Sequence, residues 1–273
     1  MSIHPNSNRL ARVATVIAVV VLTYSVLHQL SNSIDKPTAK SVDKVLPSVN
    51  PIKQMLEVGP GSPKQDGTAA AIVIDVSGSM AEKVSDTKGQ LKPKIELARN
   101  SAMNIFNLAK QFTSQNPDKL LKIGIYEFSS RERQPSCRRI VPLGPVDVES
   151  SRPRIASMYP DGGTPIGDAI ITAKLDLDAI SLTRLHIMVI TDGENNQGYS
   201  PGDVVDVISR MPQQNRASIY FIAFDISAEK FEAVRSAGGL VLSAANEQEL
   251  RQTMEYVFTG RILAEQPETP QTK

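Results

Sequence analysis

Cysteine occurs once in these 273 residues, at Cys137, so no disulfide can close within the chain. The pattern Asn-x-Ser/Thr is absent, so there is no acceptor for N-glycosylation. If the chain works outside the cytoplasm, these two absences favour a bacterial protein over a secreted animal one. Charge of one sign is also lacking. The net value is +1 at pH 7, so no global field draws in nucleic acid or an acidic partner. No basic stripe with interleaved aromatics occurs either, which speaks against nucleic-acid binding. Histidine is scarce: His4, His28 and His186 are the full supply. There is no internal repeat. With 41% apolar and 22% charged residues, the remaining composition is that of an ordinary globular protein.

The longest apolar run lies near the N-terminus. Val13 to Leu27 is almost wholly apolar, and no charged residue follows until Asp35. About 20 helical residues cross the hydrocarbon layer of a bilayer. Residues 13–33 are therefore expected to form a transmembrane signal anchor, with Arg9 and Arg12 keeping residues 1–12 cytoplasmic. A cleaved signal peptide ending near Ser31-Asn32-Ser33 is the alternative and would leave a secreted protein. The expected location is thus the cell membrane, single-pass, with the folded domain extracytoplasmic (periplasmic or on the outer face). Residues 34–68, punctuated by Pro37, Pro47, Pro51, Pro60 and Pro63, are expected to be an extended, solvated linker, and residues 266–273 a disordered tail.

Residues 69–265 alternate apolar strand patterns with helical ones. Ala69–Ile74, Leu120–Phe128, Leu185–Thr191 and Ser218–Phe224 read as strands, with short ones at Arg139–Leu143 and Leu240–Leu242. Between the first two, Ile95, Ala98, Ala102, Ile105, Ala109 and Phe112 are spaced to share one helical face. Helices are also expected over 149–158, from Pro165, over 203–210, over 228–236 and over 247–263. Such alternation predicts an α/β fold: a doubly wound, Rossmann-like open sheet, mostly parallel, with helices on both faces. The stretch between Ala81 and Lys92 is read as a charged, solvated loop that contributes to partner specificity.

The chemistry gathers at strand exits. The run Ala69–Ile74 ends in Asp75-Val76-Ser77-Gly78-Ser79, and residues two apart on an extended segment point the same way. Asp75, Ser77 and Ser79 can converge, and three hard oxygen donors suit Mg²⁺ or a similar ion. Asp192-Gly193 ends another buried strand, and Thr164 sits in Gly162-Gly163-Thr164-Pro165 just ahead of a helix. Each has a plainer reading: Thr164 as a helix N-cap, Asp192-Gly193 as a strand-exit turn.

Asp75-x-Ser77-x-Ser79, then Gly163-Thr164-Pro165, then Thr191-Asp192-Gly193, in that order, resembles the von Willebrand factor type A (VWA) domain. The resemblance spans 69–265. It implies a metal-ion-dependent adhesion site in which Asp75, Ser77, Ser79, Thr164 and Asp192 hold the ion. It also implies a six-stranded sheet with one antiparallel edge strand. Mg²⁺ is the expected cofactor, with Mn²⁺ or Ca²⁺ as alternatives. Two carboxylates and three neutral hydroxyls leave such an ion positively charged and open to an outside ligand. The expected function is therefore metal-dependent adhesion to a protein partner that presents Asp or Glu. A scaffold or assembly factor whose metal only stiffens the sheet edge is the second reading. A metal-dependent hydrolase is the third, and the chain is not expected to be an enzyme. It would need a base, yet His186 lies roughly 20 Å of strand away from Asp192. Cys137, beside Arg138 and Arg139, is read as a plain thiol, and Asp168 and Glu194 as solvated charges or outer groups of the site.

Overall fold

In the computed structural model, residues 50–57 and 63–265 are described. Eight strands and seven α-helices occur among them. In chain order they are α1 (Pro51–Met55), β1 (Gln65–Asp75), β2 (Lys83–Ser85), β3 (Leu91–Pro93), α2 (Lys94–Gln115), β4 (Leu121–Phe128), β5 (Cys137–Gly144), α3 (Val148–Ala156), α4 (Ile166–Ala179), β6 (Leu182–Thr191), α5 (Pro201–Ser209), β7 (Ser218–Phe224), α6 (Glu232–Ser236), β8 (Leu240–Ala244) and α7 (Glu247–Val257). Six strands form one sheet in the order β5-β4-β1-β6-β7-β8. All its pairs are parallel except β4 with β5, which is antiparallel and places β5 at an edge.

The unbroken apolar runs have their explanation in this sheet. Alternate residues of β1 enter two different cores: Ala70, Ile72 and Ile74 pack under α2, α3 and α7. Ala69, Ala71 and Val73 pack under α4 and α5. A strand covered on both faces has no side left to be polar. The same split runs through β6, with Met188 and Ile190 on one side and Ile187 and Val189 on the other.

Two stretches differ from expectation. Residues 50–56 are not extended. Asn50 accepts hydrogen bonds from Ile52 N at 3.0 Å and Lys53 N at 3.4 Å, which starts α1. This short helix buries Ile52 and Leu56 in the core shared with α4 and α5. Leu56→Ala is expected to cost about 2–4 kcal/mol in urea unfolding; a change under half a unit would mean the segment is only appended. The stretch after Met80 is not an open loop either. It forms the antiparallel pair β2–β3, whose turn is held by Asp86 Oδ1 accepting from Lys88 N at 2.8 Å and Gln90 N at 2.7 Å. Its tip is tied to α7 through Thr87 N and Glu247 Oε2 at 2.9 Å.

The expectation of a single-pass membrane protein with its domain outside the cytoplasm is corrected. Among the described residues no helix is long and apolar enough to cross a membrane. The 22-residue α2 has the length, but Glu96, Arg99 and Lys110 give it a face that belongs in water. The expected anchor over 13–33 lies outside the described residues, as do residues 1–12, most of the expected linker and the tail 266–273.

Candidate metal centre

β1 and β6 are neighbours in the sheet, and from β1 the chain order runs outward in both directions. That switch point opens a crevice beyond the carboxyl ends of the strands, where ligands of open α/β sheets bind. The register pairs Ile74 with Ile190, so Asp75 leaves the sheet beside Thr191 and Asp192.

All five expected donors come together there. Asp75 is fully buried, and its Oδ1 accepts from Ser77 N at 2.7 Å. Ser77 Oγ lies 3.1 Å from Ser79 Oγ, which donates to Asp192 Oδ1 at 2.8 Å. A Cβ on Gly193 would stand 3.5 Å from Thr164 Oγ1 and 3.8 Å from Ser79 Oγ, so the loop threonine and Ser79 flank the same glycine. The donors are hard oxygens, two carboxylates and three hydroxyls, and they fit a divalent cation of the Mg²⁺ type. Among the described residues no cluster of three His, Cys, Asp or Glu side chains could hold a metal, so hydroxyls are essential to any such site here.

The loop carrying Thr164 is stitched down on both sides. Gly78 N donates to Gly162 O at 2.9 Å, and Asp161 N to Val76 O at 2.8 Å. Gly163 N donates to Ser130 Oγ at 2.9 Å. Gly162 takes φ +85°, and a Cβ there would lie 2.1 Å from Ser130 O. Gly162→Ala is expected to destabilise by about 2–3 kcal/mol and to weaken any ion binding through displaced Thr164, both read by urea unfolding and calorimetry. Unaltered stability would contradict the close packing.

Thr164 does not act as the helix cap. The helix begins at Ile166, whose N–H donates to Asn195 Oδ1 at 2.8 Å. Asn196 Oδ1 accepts from Thr164 N at 2.8 Å. Asn195, just past β6, thus does the capping work from across the crevice, and Asn196 holds the Thr164 backbone beside it.

Two residues outside the expected set matter. Thr191 is buried and donates to Asp75 Oδ2 at 2.6 Å; its pairing beside Asp75 follows from register alone. Lys94, only 3% exposed, donates to Asp192 Oδ2 at 3.0 Å. Burial works against its charge, but hydrogen bonds to Asp225 and Asp192 prevail and raise the ammonium above the ordinary lysine range. Asp75 shows the opposite balance: burial pushes its carboxyl up to about 7, against the bonds from Ser77 and Thr191.

Asp168 and Glu194 hold no donor of the site. Asp168 Oδ1 accepts from Tyr199 N at 3.0 Å, and Glu194 pairs with Lys230 at 2.9 Å on the surface. Cys137 is buried, and burial pushes its thiol up to about 12 despite Arg139 and Arg138. His186 is buried at the other end of β6, with Nδ1 3.4 Å from Tyr220 Oη.

The sequence profile of the von Willebrand factor type A domain matches residues 70–194, a span that contains all five donors. No curated protein matches the chain. Several solved structures share its fold. The PilB minor pilin from Streptococcus sanguinis superposes with a TM-score of 0.53 at 15% identity, over 73% of this chain and 62% of that one. The SpRpn10 VWA domain gives 0.50 at 19% identity, over 67% and 91%. Proximal thread matrix protein 1 from the mussel byssus, with a zinc-occupied MIDAS motif, gives 0.50 at 18% identity, over 72% and 48%. The chain therefore spans under two thirds of the pilin and about half of the byssus protein. Strand order, switch-point crevice and sequence match agree: residues 70–194 of this chain match a von Willebrand factor type A domain in both sequence and fold.

Proposed function

We propose that the domain binds a divalent cation through Asp75, Ser77, Ser79, Thr164 and Asp192 and uses it to grip an acidic side chain of a protein partner. The observation that carries this reading is the convergence of Ser77 Oγ, Ser79 Oγ and Asp192 Oδ1 along a 3.1 Å and 2.8 Å chain at the switch point, with Thr164 Oγ1 beside it. The zinc-occupied motif of the byssus protein supports a metal on the same fold.

When bound, the ion supplies positive charge and water-filled positions that an outside carboxylate can take. Everything else falls to the chain. Ser77, Ser79 and Thr164 contribute neutral oxygens, so only Asp75 and Asp192 offset the ion's charge directly. Thr191 and the Ser77 amide fix the Asp75 carboxylate in orientation. The wall around Asp75 and Ser77 is dry, with both residues almost fully buried, and a dry wall strengthens the grip on an incoming carboxylate.

The test is capture of binding partners on the immobilised full chain, with Mg²⁺ and with EDTA. A partner lost in EDTA and lost again when its acidic residues are changed to amides supports the reading. Partners held equally in both conditions would favour the scaffold reading, which one observation does support: the donors already bond one another, and Asp192 already has Lys94.

A further inference from the structure

Lys94 is the first residue of α2, and its ammonium touches three carboxylates from three separate segments. Asp225 Oδ2 lies at 2.9 Å, Asp192 Oδ2 at 3.0 Å and Glu82 Oε2 at 3.1 Å. Its position is pinned by the backbone as well, since Lys94 N donates to Glu82 O at 2.8 Å. Asp225 is held in place by φ +55° and by its N–H donating to Ala244 O at 2.7 Å. The three acids are not equivalent. The Asp192 side chain is 0% exposed, whereas those of Glu82 and Asp225 are 69% and 41% exposed.

Asp192 divides its two oxygens. Oδ1 takes the Ser79 hydroxyl on the side of the other donors, and Oδ2 takes Lys94. A carboxylate buried this deeply requires a counter-charge. Lys94 supplies one from within the chain. A divalent ion on the same carboxylate must then share it with an ammonium 3.0 Å away, and two cations on one acid oppose each other.

We propose that Lys94 is a resident counter-cation: it holds Asp192 in the metal-free protein and sets ion affinity by competing for that carboxylate. Glu82 and Asp225 are the fallback that keeps the ammonium paired once the ion takes its share of Asp192. The inference rests on the metal reading above and adds the residue that tunes it. It explains how the crevice keeps its shape without an ion. It makes Lys94 a positioning residue, acting through Asp192.

The test is calorimetric titration of the full chain with MgCl₂ and MnCl₂, together with melting curves in EDTA. Lys94→Met keeps the aliphatic stem and removes the charge. Its ion affinity is expected to rise about tenfold, while its Tm in EDTA falls and is recovered by the ion. The double variant Glu82→Gln with Asp225→Asn alters exposed side chains and leaves the ammonium to Asp192 alone. Its ion affinity is expected to fall by roughly threefold or more. A merely structural lysine would lower Tm without moving the two affinities in opposite directions. If Lys94→Met does not fold, the double variant decides by itself. Wild-type binding with affinities unmoved in the variants overturns the role of Lys94 and leaves the metal reading intact. A wild type that binds neither ion overturns both.

Discussion

Asp75→Asn is expected to leave the domain folded while its divalent-ion affinity falls on the order of 100-fold or more. The carboxylate is fully buried, and in the absence of an ion its charge is a cost rather than a support. Asparagine has the same shape. Its carbonyl keeps the 2.7 Å bond from Ser77 N. Its amide faces Thr191 Oγ1, now 2.6 Å from Asp75 Oδ2, and that hydroxyl can accept instead and turn its proton to Gly193 O at 3.0 Å. The bonds to Ser77 N and Thr191 keep partners and a buried charge is removed, so the metal-free stability of the variant should equal or exceed that of the wild type. The ion loses one of its two carboxylates, with nothing nearby to replace it. Ion at 100 times its dissociation constant should stabilise the wild type by roughly 2.7 kcal/mol. This rise is the quantity that should vanish in Asp75→Asn, read by melting curves with and without MgCl₂ and by direct titration. An undiminished affinity would remove Asp75 from the donor set.

Acid is expected to weaken the domain through His186, at the far end of β6 from the crevice. The ring is buried, and burial, followed by the charge of Arg184, holds it down to about 3. Glu265 Oε2 lies 3.6 Å from Nε2 and would favour the charged ring, but that side chain is 40% exposed and stands beyond hydrogen-bond distance, so burial prevails. In the unfolded chain the ring titrates near 6.5. Below that value the unfolded state takes a proton that the folded state refuses, so the stability contributed by His186 is whole above about 6.5 and declines as pH falls toward 3. Over the full window the His186 contribution is about 5 kcal/mol, of which about 2 kcal/mol falls between pH 7 and pH 5, where Asp75, pushed up to about 7, acts in the opposite sense. Urea unfolding of the wild type and of His186→Gln at those two values measures it as the difference between their slopes, since Asp75 titrates in both. An equal slope in that variant would assign the acid sensitivity to other groups.

Some of this was legible in the residues alone. Ala69–Ile74 and Leu185–Thr191 are apolar without alternation, and only strands buried on both faces have that pattern. Asp75, Ser77, Ser79, Thr164 and Asp192 stand where an apolar run stops or a helix starts, and parallel topology brings such ends to one edge, but it was the family resemblance that joined them into one set. The short strand expected over Arg139–Leu143 is present as Cys137–Gly144, and the antiparallel edge position that the family resemblance implied is the one it takes.

What escaped was decided by distance along the chain. Lys94 lies just past the stretch read as a charged loop and carries no signal of its own, yet it is buried against Asp192, a residue 98 positions away. Asn195 carries no signal in the sequence, yet it accepts from the first N–H of a helix that begins 29 positions earlier, which frees Thr164 from that duty. Cys137 has two arginines as chain neighbours, an arrangement that favours a thiolate, but packing under the sheet removes the water that a thiolate needs. The sequence by itself determined which segments must be buried and which oxygen-bearing residues end them, because apolar period and strand exits are local properties. The tertiary structure alone decided the charge balance of the crevice. A buried ion pair depends on which surfaces meet when helices cover the sheet, and no local pattern records which lysine will be closed in against which aspartate.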